Sequence, residues 1–279
     1  NPAVPRSVEA VIRRALATAG ALKRVRWRFF ACSDYVAESC ARDPVMLQTL
    51  LDGGTLLRAC LPDEARRRVT AAAARAQDEA TLMRDLRRLR RREWVRIAWR
   101  DAAGWANAEE TMAELSAFAD AFIGAAAERL EAWQHASLGT PRSPAGSAQS
   151  LVVVAMGKLG AGELNFSSDV DLIFAFAEDG STDGPHPVAN EEYFIRLGQT
   201  LIKVLSEVTA DGFVFRTDMR LRPFGDAGPL AVSFDDLEEY YQTHGRPWER
   251  YAMLRARPIT GAAAARSRLA ERLRPFVYR

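Results

Sequence analysis

The sequence predicts a mostly helical α+β protein in which a small mixed β-sheet lies between N-terminal and C-terminal helical regions. In the first 135 residues, apolar side chains recur at the three-to-four-residue spacing of amphipathic helices. After residue 150, three runs have the apolar or alternating texture of β-strands. Residues 139–147, which are rich in glycine, proline and serine, separate the two patterns and predict a linker.

Three long helices are expected before this linker. The first spans residues 8–30. The second begins at Pro62, which suits the first position of a helix, and Asp63 and Glu64 follow it where the helix dipole favours acidic side chains. The apolar spacing continues this second helix to about Trp99 and predicts a third helix over residues 106–134.

Beyond the linker, predicted strands come first and helices close the chain. The predicted strands are Leu151 to Met156, Asp169 to Ala177 and Phe213 to Arg222. The predicted helices cover residues 191–209, 233–241, 247–256 and 262–276. The chain therefore divides into a helical region over residues 1–140, a strand-bearing core over 150–230 and a truncated helical region over 231–279.

Composition excludes several classes of protein. The 279 residues carry 38 basic and 36 acidic side chains, a formal net charge of +2, whereas a general nucleic-acid binder is usually far more basic. The longest clean apolar run, residues 151–156, is far shorter than the ~18 residues of a membrane helix, and no signal peptide opens the chain. These features predict a cytoplasmic protein that binds neither nucleic acid nor membrane.

Two further patterns favour ordinary roles. Cys32, Cys40 and Cys60 lack the spacing of a metal site and predict reduced thiols. Six arginines between residues 84 and 92 would suit nucleic acid, but acidic residues interleave with them. We therefore expect this arginine cluster to form a solvated helix face.

Two acidic residues at the start of the second predicted strand point to metal chemistry. Asp169 and Asp171 lie two residues apart, so they share one face of the strand while Val170 faces the core. Neighbouring carboxylates repel each other unless a cation lies between them, and hard divalent cations prefer oxygen ligands. A solvent-facing strand edge is the alternative for this pair taken alone.

The third predicted strand strengthens the metal interpretation. Its alternation puts Asp218 on one face together with Arg216, Arg220 and Arg222. If this strand lies beside the second, three carboxylates meet at one site bordered by guanidinium groups. Such a set suits divalent ions that grip a phosphoryl group during an in-line displacement. The alternative is that the arginines only pair with the acids on a surface.

A glycine-rich turn follows the first predicted strand. Its glycines, which begin at Gly157, would let backbone N–H groups approach a phosphate. The spacing matches neither a Walker A loop nor the dinucleotide-binding pattern, so an ordinary turn is the alternative. Lys158 is the expected cation near this turn. Weaker candidates for nucleotide contacts are Gly157, Gly160 and Ser168.

The combination of strand, glycine turn, spaced aspartate pair and later aspartate resembles the nucleotidyltransferase superfamily that includes DNA polymerase β. A closer resemblance is to the bacterial glutamine synthetase adenylyltransferase/adenylyl-removing enzyme family. Four blocks carry it over about residues 80–279: RRLRRREWVRIAWRDAAG, MGKLGAGELNFSSDVDLIF, FRTDMRLRPFGDAGPL and YYQTHGRPWERYAMLRAR. The resemblance implies a nucleotidyltransferase core in the region of the strands.

That family has two similar halves, and NFSSDVDLIF, DMRLRPFGDAGPL and WERYAM resemble the first, adenylyl-removing half. The resemblance implies removal of AMP from a glutamine synthetase tyrosine by phosphorolysis, in which inorganic phosphate enters and ADP leaves. The family's first half is longer than this chain, which predicts a fragment. The implied partners are glutamine synthetase and, in the full-length enzyme, the PII signal protein.

The resemblance also implies cofactors and site residues. Mg²⁺ or Mn²⁺ would be held by the catalytic Asp169, Asp171 and Asp218. The nucleotide, ADP or ATP, and inorganic phosphate would be contacted by residues of the glycine turn and by the arginines near Asp218. The candidates are Gly157, Lys158, Gly160, Ser168, Arg216, Arg220 and Arg222.

Two other functions stay open. One is the reverse activity, transfer of AMP from ATP to the glutamine synthetase tyrosine, which the same constellation would serve. The other is a non-catalytic domain that docks a partner through its arginine-rich helices. The three acids argue against the second, since a non-catalytic domain has no physical reason to hold three mutually repelling carboxylates.

Overall fold

The computed structural model describes residues 33–278, and helices form its first part. Two short helices and a 3-10 turn lead to three longer helices. They are α1 (Asp34–Arg42), α2 (Pro44–Asp52), the turn Thr55–Leu57, α3 (Pro62–Arg75), α4 (Glu79–Ala102) and α5 (Ala108–Leu138). The helix predicted over residues 8–30 lies outside the described residues, as does Cys32. Cys40 and Cys60 are buried free thiols, as predicted.

The single helix predicted from Pro62 to Trp99 is wrong, because the chain breaks between α3 and α4. Pro62 does occupy the start of α3. Asp78 then caps a new helix: its carboxylate accepts from Thr81 N at 2.7 Å, and the Thr81 hydroxyl accepts from Asp78 N at 3.2 Å. This reciprocal capping box supplies partners for the exposed N–H groups and makes a restart at residue 79 favourable.

Strands and shorter helices form the second part. The strands are β1 (Pro141–Arg142), β2 (Val152–Ala155), β3 (Val170–Phe176), β4 (Ser181–Thr182), β5 (Thr217–Asp218), β6 (Ala231–Ser233) and β7 (Arg257–Pro258). The helices are α6 (Gly157–Gly160), α7 (Asn190–Ser206), α8 (Phe234–Thr243), α9 (Pro247–Met253) and α10 (Ala263–Val277). The prediction of a mostly helical α+β fold is confirmed.

The main sheet is mixed and centres on β3. β2 pairs antiparallel with β3 and with β7, while β5 and β6 both run parallel to β3. β5 pairs with the beginning of β3 and β6 with its end, so both lie along the same edge. β1 and β4 form a separate two-stranded sheet. Chain order and pairing together place the start of β3 next to β5.

Apolar side chains cover both faces of the main sheet. Alternate residues of β2 and β3 pack either against α5 and α7 or against α8 and α10. The first of these two cores continues into the N-terminal helices, where Trp94 contacts Phe122 and Phe215. The helical region is thereby fixed to the segment that leads into β5. The division of the chain near residues 140–150 and 230 stays a prediction.

The third predicted strand is much shorter than expected. Of residues 213–222, only Thr217–Asp218 form a strand. Val214 and Phe215 are both buried and donate to Leu205 O, so they cap α7. After Asp218 the chain turns, with Arg222 N donating to Met219 O. The alternation of residue types therefore overestimated the strand, because neighbouring turns and not a sheet satisfy most of this backbone.

The solvated arginine face predicted for residues 84–92 is also wrong in part. Arg87 and Arg91 are buried, at 1% and 8% exposure. Arg87 donates to the carbonyl oxygens of Glu207 and Gly212, and Arg91 donates to Asp211 O at 2.8 Å. These guanidiniums fix the turn after α7 onto α4.

Within residues 33–278, no helix combines the length and apolar character that crossing a membrane requires.

Candidate active site

Asp171 and Asp218 lie side by side on parallel strands. β3 and β5 pair in the register that sets Val170 opposite Thr217 and Asp171 opposite Asp218. Residues in register on neighbouring strands project to the same face of a sheet. The Val170 N–H donates to Arg216 O at 2.9 Å, which locks this register one residue before the acidic pair.

The packing behind β5 explains why this short strand is held in place. Phe215 is buried and its ring centroid lies 5.6 Å from that of Trp94 and 6.1 Å from that of Phe122. Both contacts have the edge-to-face geometry that aromatic rings prefer. Three rings from α4, α5 and the β5 segment therefore anchor the chain immediately before Arg216.

The charges of both other predicted metal ligands act on the half-buried Asp171. Burial raises the pKa of its carboxyl, and the negative charges of Asp218 and Asp169 raise it further; the nearby Arg220 partly offsets the shift. Repulsion of this kind means that the three acids are close enough to interact. It favours a cation, or a proton on Asp171, at this face of the sheet.

Asp169 and Asp218 each have an arginine partner. Arg216 Nε lies 2.5 Å from Asp169 Oδ1. About half of each of these two side chains is exposed. The Arg220 side chain, which is 76% exposed, donates from Nε and Nη2 to Asp218. Hydrogen bonding to Arg220 holds the pKa of Asp218 below its usual range. Two exposed guanidiniums are thus the counterions of the acidic cluster.

Arg222 has a different position from the other two arginines. Its Nη1 donates to Met219 O at 2.8 Å and lies 3.4 Å from Asp226 Oδ1, so the side chain binds its own loop. Its positive charge nonetheless helps to lower the pKa of Asp218. Phe224 in the same loop has a left-handed backbone (φ 58°) and packs edge-on against Tyr240. Arg222 and this ring contact shape the loop that follows Asp218.

The glycine turn lies directly against Asp171. Met156 N donates to Asp171 O at 2.9 Å, and Gly157 follows with a positive φ of 55°. A Cβ atom at Gly157 would lie 2.9 Å from Asp171 Oδ2, so glycine is required both by conformation and by space. The turn therefore borders the acidic cluster, as a phosphate-binding segment would.

The other predicted residues of this turn differ in whether they are free to contact a ligand. A Cβ at Gly160 would lie 1.7 Å from Arg255 O, so this glycine permits close packing of two backbone segments. The Ser168 hydroxyl donates to Asn165 Oδ1 at 2.6 Å. Lys158 is exposed and forms no ion pair within the described part of the chain. Of the three, Lys158 alone has a charge free to meet a ligand.

Sequence reasoning missed Arg257, which braces the glycine turn from β7. Its guanidinium donates to Leu159 O at 2.9 Å and Gly160 O at 3.1 Å. The same group pairs with the largely buried Asp120 of α5, at 2.7 Å. Nothing local marks Arg257 among its neighbouring arginines, since its partners lie about 100 and 137 residues away in the sequence.

The chemistry of the acidic cluster fits a divalent cation, although its side chains are not preset around one. In residues 33–278, no three His, Cys, Asp or Glu side chains are already arranged as metal ligands. Yet three hard oxygen donors gather at one face, and their mutual repulsion acts on Asp171. A cation such as Mg²⁺ would relieve this repulsion once Arg216 and Arg220 release the carboxylates.

Comparisons with known proteins give the family context. A family model described as glutamate-ammonia ligase adenylyltransferase matches residues 24–272. A bifunctional glutamine synthetase adenylyltransferase/adenylyl-removing enzyme from Thioalkalivibrio sulfidiphilus is 54% identical over 256 residues, 90% of this chain and 26% of that protein. Proteins of the same name from Nitrosococcus oceani and Pseudomonas aeruginosa are 51% and 50% identical, with the same two coverages. The chain spans about a quarter of the length of these relatives.

Proposed function

The chain belongs to the glutamate-ammonia ligase adenylyltransferase family, and we propose that its acidic cluster removes AMP from adenylylated glutamine synthetase. The observation that carries this proposal is the parallel pairing of β3 with β5, which sets Asp171 beside Asp218 with Asp169 two residues away. The glycine turn against Asp171 and the arginines beside the acids add the anion-binding groups that a phosphoryl transfer needs.

The proposed reaction is a phosphorolysis. An oxygen of inorganic phosphate attacks the phosphorus of the AMP group, the bond from that phosphorus to the tyrosine oxygen breaks, and the tyrosine oxygen takes up a proton. The products are ADP and the unmodified tyrosine. Phosphate is already ionised at neutral pH, so the attack needs no strong general base. Two of the histidines are engaged elsewhere, since His135 stacks on Tyr193 and His244 on Tyr240.

Charge repulsion is the main barrier that the site has to lower. Two unit charges 4 Å apart repel by about 4 kcal/mol at an effective dielectric constant of 20. We assign Arg216 and Arg220 to the attacking phosphate, because a guanidinium binds phosphate through two parallel hydrogen bonds. Both are exposed beside the acids. A divalent metal on Asp169, Asp171 and Asp218 would supply further positive charge to the phosphoryl oxygens.

The remaining candidates have smaller roles in this proposal. The backbone N–H group of Gly157 would border the nucleotide phosphate, with Lys158 as an exposed charge nearby. Gly160, whose N–H donates to Met156 O, would keep the turn packed. Ser168 would support the turn before Asp169, and Arg222 the loop after Asp218. Glutamine synthetase is the proposed protein partner, Mg²⁺ or Mn²⁺ the metal and the cytoplasm the location, while the PII protein would act on the full-length relatives.

The test is incubation of the chain with adenylylated glutamine synthetase, MgCl₂ and inorganic phosphate. We expect ADP to accumulate in proportion to the AMP lost from the tyrosine, and only when phosphate is present. The Asp171→Asn variant should form no ADP, whereas Asp226→Asn, which changes an exposed acid in the next loop, should keep the activity. Release of free AMP, or no ADP from the unchanged chain, would contradict phosphorolysis by this domain.

A second assay distinguishes phosphorolysis from the reverse reaction, adenylyl transfer from ATP. The chain is given unmodified glutamine synthetase and ATP, and pyrophosphate is measured. Pyrophosphate formation without ADP release in the first assay would assign adenylyl transfer to this domain. Binding of glutamine synthetase with neither product would favour a docking role.

A further inference from the structure

A cavity of about 340 Å³ lies between α1, α4 and the turn before β5, and no residue used in the proposed reaction lines it. We call it the arginine pocket. Its lining includes four arginines but only two acids, Glu38 and Asp211, so its wall carries an excess of positive charge. The residues that matter for its chemistry are Tyr35, Arg42, Arg87, Arg90, Arg91 and Phe213.

Three of the four arginines have structural partners. Arg87 donates to Glu207 O, Gly212 O and Met83 O. Arg91 binds Asp211 through its backbone and side-chain oxygens, and Arg42 donates to Ala210 O at 3.2 Å. These guanidiniums hold the turn at residues 207–212 against the helices. Their positive charge is only partly balanced, because most of their acceptors are neutral carbonyl oxygens.

Arg90 differs from these three arginines in its partners. Within the described residues it has no carboxylate partner: Nη1 donates to Tyr35 Oη at 3.1 Å, and the buried Nε has no acceptor. Aromatic rings surround the guanidinium, with centroids 4.7 Å away for Trp94, 5.5 Å for Phe213 and 5.6 Å for Tyr35. Burial lowers the pKa of Arg90, and the charges of Arg216 and Arg91 lower it further. Arg90 is half-buried, so a charge without an acid partner is poorly compensated there, and a bound anion would supply the missing partner.

We propose that the arginine pocket binds a phosphate group, with Arg90 as its principal donor. The planar guanidinium matches phosphate better than the point charge of a lysine would, and the surrounding rings fix its orientation. The excess of arginine over acid in the lining favours an anion of more than one negative charge. A cavity of about 340 Å³ has room for free phosphate or for the phosphate of a nucleotide.

The pocket also adjoins the acidic cluster through one ring. Arg90 and Arg216 both lie over Phe213, at 5.5 and 6.0 Å from its centroid, and Arg216 pairs with Asp169. An anion on Arg90 would therefore reduce the repulsion that Arg90 exerts on Arg216. Binding in the pocket stands on its own contacts, and it holds whether or not the acidic cluster performs phosphorolysis.

The experiment follows the arginine side-chain Nε–Hε signals of the ¹⁵N-labelled chain by NMR. The chain is titrated with inorganic phosphate and, separately, with AMP, at ionic strength held constant with NaCl. We expect a saturable shift of the Arg90 signal, assigned by its loss in Arg90→Lys. If phosphate saturates it at the lower concentration, free phosphate is the ligand; if AMP does, a nucleotide is. The same shift with chloride alone, or none with either anion, would overturn the proposal.

Calorimetry with the same anions gives the matched comparison. Arg90→Gln should weaken binding at this site at least about tenfold, while Arg84→Gln, which changes an exposed arginine on the same helix, should leave it unchanged. Arg220→Gln should leave the Arg90 shift intact, which separates this pocket from the acidic cluster. Equal affinity in Arg90→Gln and the unchanged chain would refute the assignment. If Arg90→Gln fails to fold by circular dichroism, the shift in the unchanged chain decides.

Discussion

Arg96 of α4 and the arginines beside β5 contact acids in opposite settings. In α4, Arg96 is 1% exposed and binds Glu93 at 2.7 Å and Glu114 at 3.2 Å, both of which are buried. Beside β5, Arg216 and Arg220 are mostly exposed and pair with the acids of the candidate active site. The residue types are the same, and the access of water differs.

This difference determines what each ion pair can do. An exposed pair contributes about 0–1 kcal/mol, because water and salt screen it, so its partners separate at little cost. Breaking a buried pair strands a charge away from water and costs about 3–5 kcal/mol. The pairs of Arg96 are therefore fixed scaffold, whereas Arg216 and Arg220 are counterions that can leave the acids to a metal and bind a phosphate instead. Four substitutions test this contrast.

The largest effect is expected from Arg96→Ala. It leaves Glu93 and Glu114 as buried carboxylates with one partner fewer, so we expect a loss of about 3–5 kcal/mol in the free energy of unfolding. Urea denaturation followed by circular dichroism measures it. The matched control is Arg216→Ala, which removes an exposed pair and should cost less than about 1 kcal/mol. Equal losses in the two variants would abolish the distinction between scaffold and counterion.

The second prediction concerns Asp171→Asn. Because Asp218 and Asp169 repel the Asp171 carboxylate, the neutral amide should leave the metal-free chain equally stable or slightly more stable. Removal of AMP should fall by at least about a hundredfold, since a proposed metal ligand is lost. Mn²⁺ binding, followed by electron paramagnetic resonance, should weaken in parallel. Strong destabilisation of the metal-free variant would identify Asp171 as a structural partner of the arginines.

The sequence predicted the parts of this site whose signals are local. The apolar runs of β2 and β3 and the two-residue spacing of Asp169 and Asp171 are visible without a structure. β6 and β7 are too short to show a period, and β5 is held by pairing and aromatic packing instead of by its own alternation. These strands depend on contacts that no short window of sequence contains.

The burial of the arginines was unpredictable for a related reason. Arg87 and Arg91 belong to a run of arginines in α4, and their acceptors lie in a turn 120 or more residues later. Periodicity assigns a charged side chain to the solvent unless a distant partner is known. The missed brace at Arg257 has the same cause. Sequence motifs predicted which residues belong to the candidate site, and only the fold separates exposed counterions from buried scaffold.

The third prediction sharpens the contrast from the acidic side. Glu131 has no guanidinium partner among residues 33–278 and accepts only from Leu151 N, and burial raises its pKa from 4.5 to about 7. Between these values the folded state binds more protons than the unfolded state, so stability should fall as pH rises from about 4.5 to 7. Over this pH range the free energy of unfolding of the unchanged chain should decrease by about 1–3 kcal/mol because of Glu131, and Glu131→Gln should abolish this decrease.

Thermal or urea unfolding across this pH range measures the effect of Glu131→Gln. Glu109→Gln, an exposed change in the first turn of the same helix, is the control and should keep the pH dependence. An unchanged pH profile in Glu131→Gln would mean that Glu131 is ionised in the folded chain. Burial without a guanidinium partner would then not be enough to keep this acid protonated.

The smallest expected effect is that of Arg220→Lys, and it tests whether an exposed counterion also holds the attacking phosphate. A lysine keeps the charge near Asp218 but loses the paired N–H donors that grip a phosphate. The phosphate concentration for half-maximal ADP formation should rise about tenfold, with little change in KM for adenylylated glutamine synthetase. Arg255→Lys, which alters an exposed arginine paired with Glu163, is the control. Because Arg220 competes for Asp218, Arg220→Gln should tighten Mn²⁺ binding even without turnover. If the lysine variants of Arg216, Arg220 and Arg222 all keep the phosphate dependence of the unchanged chain, these arginines do not hold the attacking phosphate. Lys158 would then be the residue assigned to bind it.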